Sequence, residues 1–202
     1  MKFFLKVISY IFHPLYIPFT GTFLYFLITP KYNPLELQSG NVLPIFILTI
    51  IVPIISYLIL RNLGLVHSIS MSTTQERKYP LFVIIALLLM IVYKITPNEL
   101  TVELHYFFIG LIAGSLASLI LLFLNFKSSM HLMGMGSLFM FLTCLSIHFK
   151  INLTLALSLI IFAIGLVTSA RLYFRAHSLP EILIGFFVGL TTQLLTVKFW
   201  LE

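Results

Sequence analysis

The chain contains no aspartate, and its six acidic residues are all glutamates, dispersed between Glu36 and Glu202. A hard cation such as Mg2+ needs several carboxylate oxygens close together. A paired-aspartate magnesium site is therefore excluded, and neither a metal nor another cofactor is expected. Cysteine is nearly absent as well. Cys144 stands alone inside an apolar run, which excludes an intrachain disulfide and a thiolate metal centre. Charged residues make up only 9% of the chain, and the 12 Lys and Arg are scattered, mostly singly, instead of forming a solvated basic face. The formal charge of +6 thus does not point to nucleic acid.

What remains is hydrocarbon. With 60% hydrophobic residues and a mean hydropathy of +1.10, the chain falls outside the soluble range and within that of polytopic membrane proteins. Crossing a hydrocarbon core of about 30 Å takes about 20 apolar residues. The pattern predicts an all-α transmembrane bundle of six or seven spans, forming one integral membrane domain over residues 1–202. The first span is expected to be uncleaved and to run to about Thr29, because its apolar run is too long for a signal peptide. The others are expected near 43–60, 81–95, 104–126, 132–147, 151–170 and 179–200. His13-Pro14 and Pro18 lie near the start of the first span, where proline is tolerated, and His13 reads as an interfacial residue. Residues 31–41, with Pro34 and Gly40, read as a loop. Gly110, Gly114, Ser115 and Ser118 have the spacing of close helix packing.

Three polar stretches interrupt this pattern. The first runs from Asn62 to Tyr79 and includes His67 and Ser72-Thr-Thr-Gln-Glu76-Arg77-Lys78. Thr73 and Glu76 have capping-box spacing and Pro80 suits a helix start, but capping does not account for Arg77 beside Lys78. The second is Lys127-Ser128-Ser129-Met130-His131, and the third runs from Ser169 through Arg171, Arg175 and His177 to Glu181. Such groups are costly beside hydrocarbon unless they face a cavity, one another or a ligand. Two helices separate each stretch from the next, so all three are expected at one membrane surface. The remaining loops hold Glu36, Glu99, Glu103 and His148 and lack a comparable set of partners; His148 and Lys150 read as an ordinary turn.

Glu181 admits two readings. With Ser178 it completes a capping box at the start of the last helix; alternatively, its carboxylate accepts a hydrogen bond from one ring nitrogen of His177 and frees the other to attack. An oriented imidazole, a second histidine and several cations make a parts list for metal-free phosphoryl transfer. His177 would be the nucleophile, and His131 would protonate the leaving alkoxide and then activate water. Arg171 and Arg77, with Lys78 or Lys127, would hold the non-bridging oxygens, and Ser129 would add a hydroxyl.

These residues resemble the type 2 phosphatidic acid phosphatase superfamily of membrane lipid phosphatases. Its third motif, Ser-Arg-x-x-x-x-x-His-x-x-x-Asp, is similar to Ala170-Arg171-Leu-Tyr-Phe-Arg-Ala-His177-Ser-Leu-Pro-Glu181, with Glu for Asp and the serine displaced to Ser169. The second motif, Pro-Ser-Gly-His, is matched at Ser129 and His131 only. The first, Lys-x-x-x-x-x-x-Arg-Pro, is divergent, since Lys78 and Tyr79 separate Arg77 from Pro80 and Ser70 stands where the lysine would be. Lys78 or Lys127 is expected to supply the missing contact. The resemblance covers about residues 70–190. It implies a hydrolase of lipid or isoprenoid phosphates or pyrophosphates, working without metal through a phosphohistidine, with a substrate whose tail stays in the bilayer. A catalytically silent relative that binds or translocates an anionic lipid is the alternative.

Sidedness divides the indications. Lys2, Lys6, Arg61, Arg77, Lys78, Lys127, Arg171 and Arg175 fall on the proposed active face, and Lys31, Lys94, Lys150 and Lys198 on the other. The positive-inside rule would put the site in the cytoplasm, but the excess vanishes once the cations of the proposed site are set aside. The resemblance favours the outer face, and the expected location is a bacterial cell membrane.

Overall fold

A computed structural model describes residues 2–67, 71, 73–96 and 99–201. Ser70, Ser72 and Pro97 lie outside them. The described residues are helical with no strand: α1 (Lys2–Ile11), α2 (Tyr16–Ile28), α3 (Leu35–Asn62), α4 (Thr74–Lys94), α5 (Val102–Phe123), α6 (Met130–His148), α7 (Thr154–Tyr173) and α8 (Leu179–Val197). Five of them, α3 and α5 to α8, are long and apolar enough to cross a bilayer, and α1 with α2 makes a sixth if that bent pair is one broken span. α4 has 21 residues, about 32 Å of helix, with Arg77, Lys78 and Lys94 near its ends.

The expected first span is broken. α1 and α2 meet at 64°, with His13 and Pro14 between them. Pro14 has no N–H to donate and disfavours helical geometry at His13. The His13 ring then starts the next helix by accepting the Leu15 N–H at 3.3 Å on Nδ1. The expected loop over 31–41 is also corrected, because α3 begins at Leu35, directly after Pro34. α3 widens to a π turn at Ile47–Ile51, between Pro44 and Pro53, each of which removes a backbone donor from the ladder.

In α4 the Thr73 half of the expected capping box forms, its hydroxyl accepting the Glu76 N–H at 3.3 Å. Helix therefore begins earlier than expected, with Arg77 and Lys78 inside its first turns and Pro80 inside the helix rather than at its start.

Helix association inside a bilayer rests on close packing, because lipid tails are as apolar as the side chains. The small residues of α5 behave accordingly: Gly110 lies under the Gln193 side chain, and Gly114 under Met133 and Thr192. The tightest crossing is α6 on α8. A Cβ on Gly185 would sit 2.5 Å from the Ser129 carbonyl oxygen, one on Gly136 would sit 2.5 Å from the Phe186 carbonyl oxygen, and one on Gly189 would collide with the Met133 carbonyl oxygen. Ser137 adds a hydrogen bond to the Gly189 carbonyl at 3.3 Å. This backbone-to-backbone contact sets the start of α6 against the start of α8, where His131 and His177 stand.

Candidate active site

The starts of α4, α6 and α8 and the end of α7 build the site. The carbonyl of Glu181 accepts the Ser129 N–H at 3.0 Å, which joins the first turn of α8 to the start of α6. His177 occupies the short connection between α7 and α8 and is 6% exposed. Its Nδ1 faces two acceptors, Oε2 of Glu181 at 3.1 Å and the carbonyl of Lys127 at 3.2 Å. Nδ1 therefore carries the proton, and Nε2 keeps its lone pair. Nη1 of Arg77 lies 3.5 Å from that Nε2, having crossed from the start of α4. Nε of the same guanidinium donates to the Met71 carbonyl at 2.8 Å.

Burial, followed by the positive charges of Arg77 and Arg171, pushes the His177 pKa down to about 4, while Glu181 pulls it the other way. The ring is thus neutral near pH 7, with an available electron pair on Nε2.

His131, in the first turn of α6, is 8% exposed. Its Nε2 faces the Ser9 carbonyl at 3.2 Å, so Nε2 is the protonated nitrogen and Nδ1 the acceptor. The His13 ring packs edge-on against it, with centroids 5.3 Å apart. Arg171, in the last turn of α7, lies within electrostatic reach of His13, Arg77, His131 and His177.

The three polar stretches thus meet at one end of the bundle. Two further groups join them. The last turn of α1 supplies the Ser9 carbonyl, and the elbow after it supplies His13, expected from the sequence to be interfacial. The only signal was proline beside histidine inside an apolar run.

Lys127 meets His177 through its carbonyl, and the ammonium of Lys78 lies over the Phe123 ring, 4.3 Å from its centroid. Ser169 bonds back along its own helix to the Gly165 carbonyl at 2.9 Å. Several polar atoms at this end are buried without a hydrogen-bond partner among the described residues, including Oγ of Ser129, Nε of Arg171 and Oγ of Ser9. The first two belong to groups able to donate to an anion.

The opposite end corrects the expectation that its loops lack partners. Glu103, 2% exposed, accepts hydrogen bonds from Lys31 at 2.6 Å and from the Tyr25 hydroxyl at 3.0 Å, and His148 lies 3.5 Å away. A cavity of about 340 Å³ adjoins it, lined also by Lys198 and Trp200. Among the described residues no group of three or more His, Cys, Asp or Glu has the arrangement of a metal site.

Comparison of the chain with models of known families, with curated proteins and with solved structures gives no match.

Proposed function

We propose that this protein is a metal-independent phosphatase of membrane lipid or isoprenoid phosphates, acting through a phosphohistidine at His177. The observation that carries this reading is the state of the His177 ring: neutral, with Nδ1–H held by Glu181 and the Nε2 lone pair directed at a guanidinium. A phosphate entering beside Arg77 would bring its phosphorus to that lone pair. Nε2 then forms the N–P bond as the P–O bond to the lipid breaks. His131, carrying a proton on Nδ1 in the reacting complex, gives it to the leaving alkoxide. Water next attacks phosphorus, its proton passes to Nδ1 of His131, and the N–P bond breaks to release phosphate and neutral His177. Arg171 and Arg77 hold the non-bridging oxygens while charge redistributes, and the unpartnered Ser129 hydroxyl has a donor to offer.

The test is to incubate the purified protein with a labelled lipid phosphate in the presence of a chelator, quench in alkali and map an acid-labile adduct. The adduct is expected on His177, abolished by His177→Gln. One observation favours the silent relative instead: Arg77 lies against the nucleophilic nitrogen, as it would in a pocket that only binds an anionic lipid. Saturable binding of lipid phosphate without adduct or phosphate release would select that second reading.

A further inference from the structure

We propose that α1 is a docking helix for an anionic membrane surface and that its seating there sets the position of His131. The second half rests on the function proposed above, whereas the docking itself does not.

α1 has 10 residues and turns 64° from α2, so it spans only about 15 Å and does not continue the course of its neighbour. Its faces are sorted into three sectors. Leu5 and Ile8 are buried, and Ile8 packs with Leu132, Val167 and Ile182 at the polar end of the bundle. Lys2 and Lys6, four residues apart, form an exposed stripe beside them. The rest of the circumference is apolar yet outward: Phe3 is 82% exposed, and Phe4, Tyr10 and Ile11 are more than half exposed. In heptad terms, Phe3 lies over Tyr10 and Phe4 over Ile11.

A helix with an unpartnered apolar sector flanked by lysines, at the end of a membrane bundle, has the make-up of one lying in the interface. There the rings enter the acyl region and the ammoniums meet lipid phosphates. The flanking charge selects the partner as an anionic leaflet.

The same helix reaches the site. Its Ser9 carbonyl accepts the Nε2–H of His131 at 3.2 Å, and the His13 ring just beyond its end packs on that imidazole. Where α1 sits therefore fixes which nitrogen of His131 bears the proton and where its acceptor Nδ1 is held. Ser9 and His13 are positioning residues in this scheme, and neither touches substrate.

The full chain, with buried Cys144 replaced by Ala and a nitroxide attached through Phe3→Cys, is reconstituted in nanodiscs of phosphatidylcholine with or without phosphatidylglycerol. Its accessibility to oxygen is compared with its accessibility to an aqueous nickel chelate. With phosphatidylglycerol, the label is expected at acyl depth. A Lys2→Glu, Lys6→Glu chain is expected to raise the chelate accessibility severalfold in the same discs. Chelate exposure equal to that of a loop in both lipids, or burial indifferent to phosphatidylglycerol and to the charge reversal, overturns the docking.

Adduct formation on a labelled lipid phosphate is measured in the same discs. It is expected to fall about tenfold on charge reversal, and an unchanged rate in a chain whose α1 has been released overturns the link to His131. A docked helix in a protein that forms no adduct in any lipid would refute the phosphatase reading and leave the docking intact.

Discussion

Oε2 of Glu181 accepts the proton of His177 Nδ1 at 3.1 Å while also accepting the backbone N–H of Ser178 at 2.9 Å. The two readings of this carboxylate, as helix cap and as partner of the imidazole, are therefore one arrangement. Closing the capping box at the start of α8 is what brings the oxygen to the ring.

That coincidence separates two substitutions. Glu181→Gln keeps an acceptor for Ser178 but removes the negative charge beside His177. It is expected to leave thermal stability within about 0.5 kcal/mol while slowing adduct formation by about 10- to 100-fold. Glu181→Ala is expected to show the same kinetic loss plus about 1 kcal/mol of destabilisation from the lost cap. Thermal unfolding and single-turnover trapping on the two variants check this.

The depressed pKa of His177 fixes the sign of a pH effect. Only the neutral ring can attack, so the acid limb of adduct formation is expected near pH 4 instead of near 6.5, the ordinary histidine value. Arg171→Ala removes a nearby positive charge, raises the pKa and moves the limb upward between these values. Glu181→Gln removes the charge that favours protonation and moves it downward. Rate profiles of the three proteins give the answer, and identical limbs would assign the titration to another group.

Among the cations, Arg171 is expected to matter most, because its buried Nε has no hydrogen-bond partner among the described residues. Arg171→Ala should reduce turnover by about 100-fold or more, in the range of a lost transition-state donor. Lys78→Ala and Lys127→Ala should each stay within about threefold, far below that range. The first ammonium lies on Phe123 and the second residue acts through its carbonyl. Initial rates of phosphate release distinguish these effects.

The crossing of α6 on α8 predicts a stability contrast. Gly189→Val places a side chain into the Met133 backbone, and destabilisation of about 3 kcal/mol or more is expected, as for overpacking that backbone shifts cannot relieve. Gly165→Ala, where a Cβ would meet nothing within 4 Å, should be neutral or stabilising by up to about 1 kcal/mol through helix propensity. Thermal unfolding in one detergent measures both.

Much of this was legible along the chain, because each feature depends on neighbours in sequence. Long apolar runs, the Thr73 cap and the pairing of Ser178 with Glu181 are local. The glycines at 110 and 114, four apart on one helix face, also announced a close contact, although only the structure shows that the tightest crossing runs through Gly185 and Gly189. What the sequence concealed involved partners distant along the chain. Lys31, Glu103 and His148 look like unrelated loop residues until the helices between them fold. His13 looks interfacial until Pro14 turns α1 back over His131.

By itself the sequence determined that this protein lives in a membrane, that its chain is helical, and that Arg, His and Glu are concentrated where polar groups are hard to accommodate. Hydrophobicity and periodicity are summed residue by residue, so no partner is needed to read them. The tertiary structure alone decided that Arg77 points at Nε2 of His177, that Lys127 contributes a carbonyl, and that the N-terminal elbow belongs to the polar cluster. Those outcomes depend on where one helix crosses another and on which atoms of a long side chain face inward. Both are set by packing between segments that the linear order leaves apart.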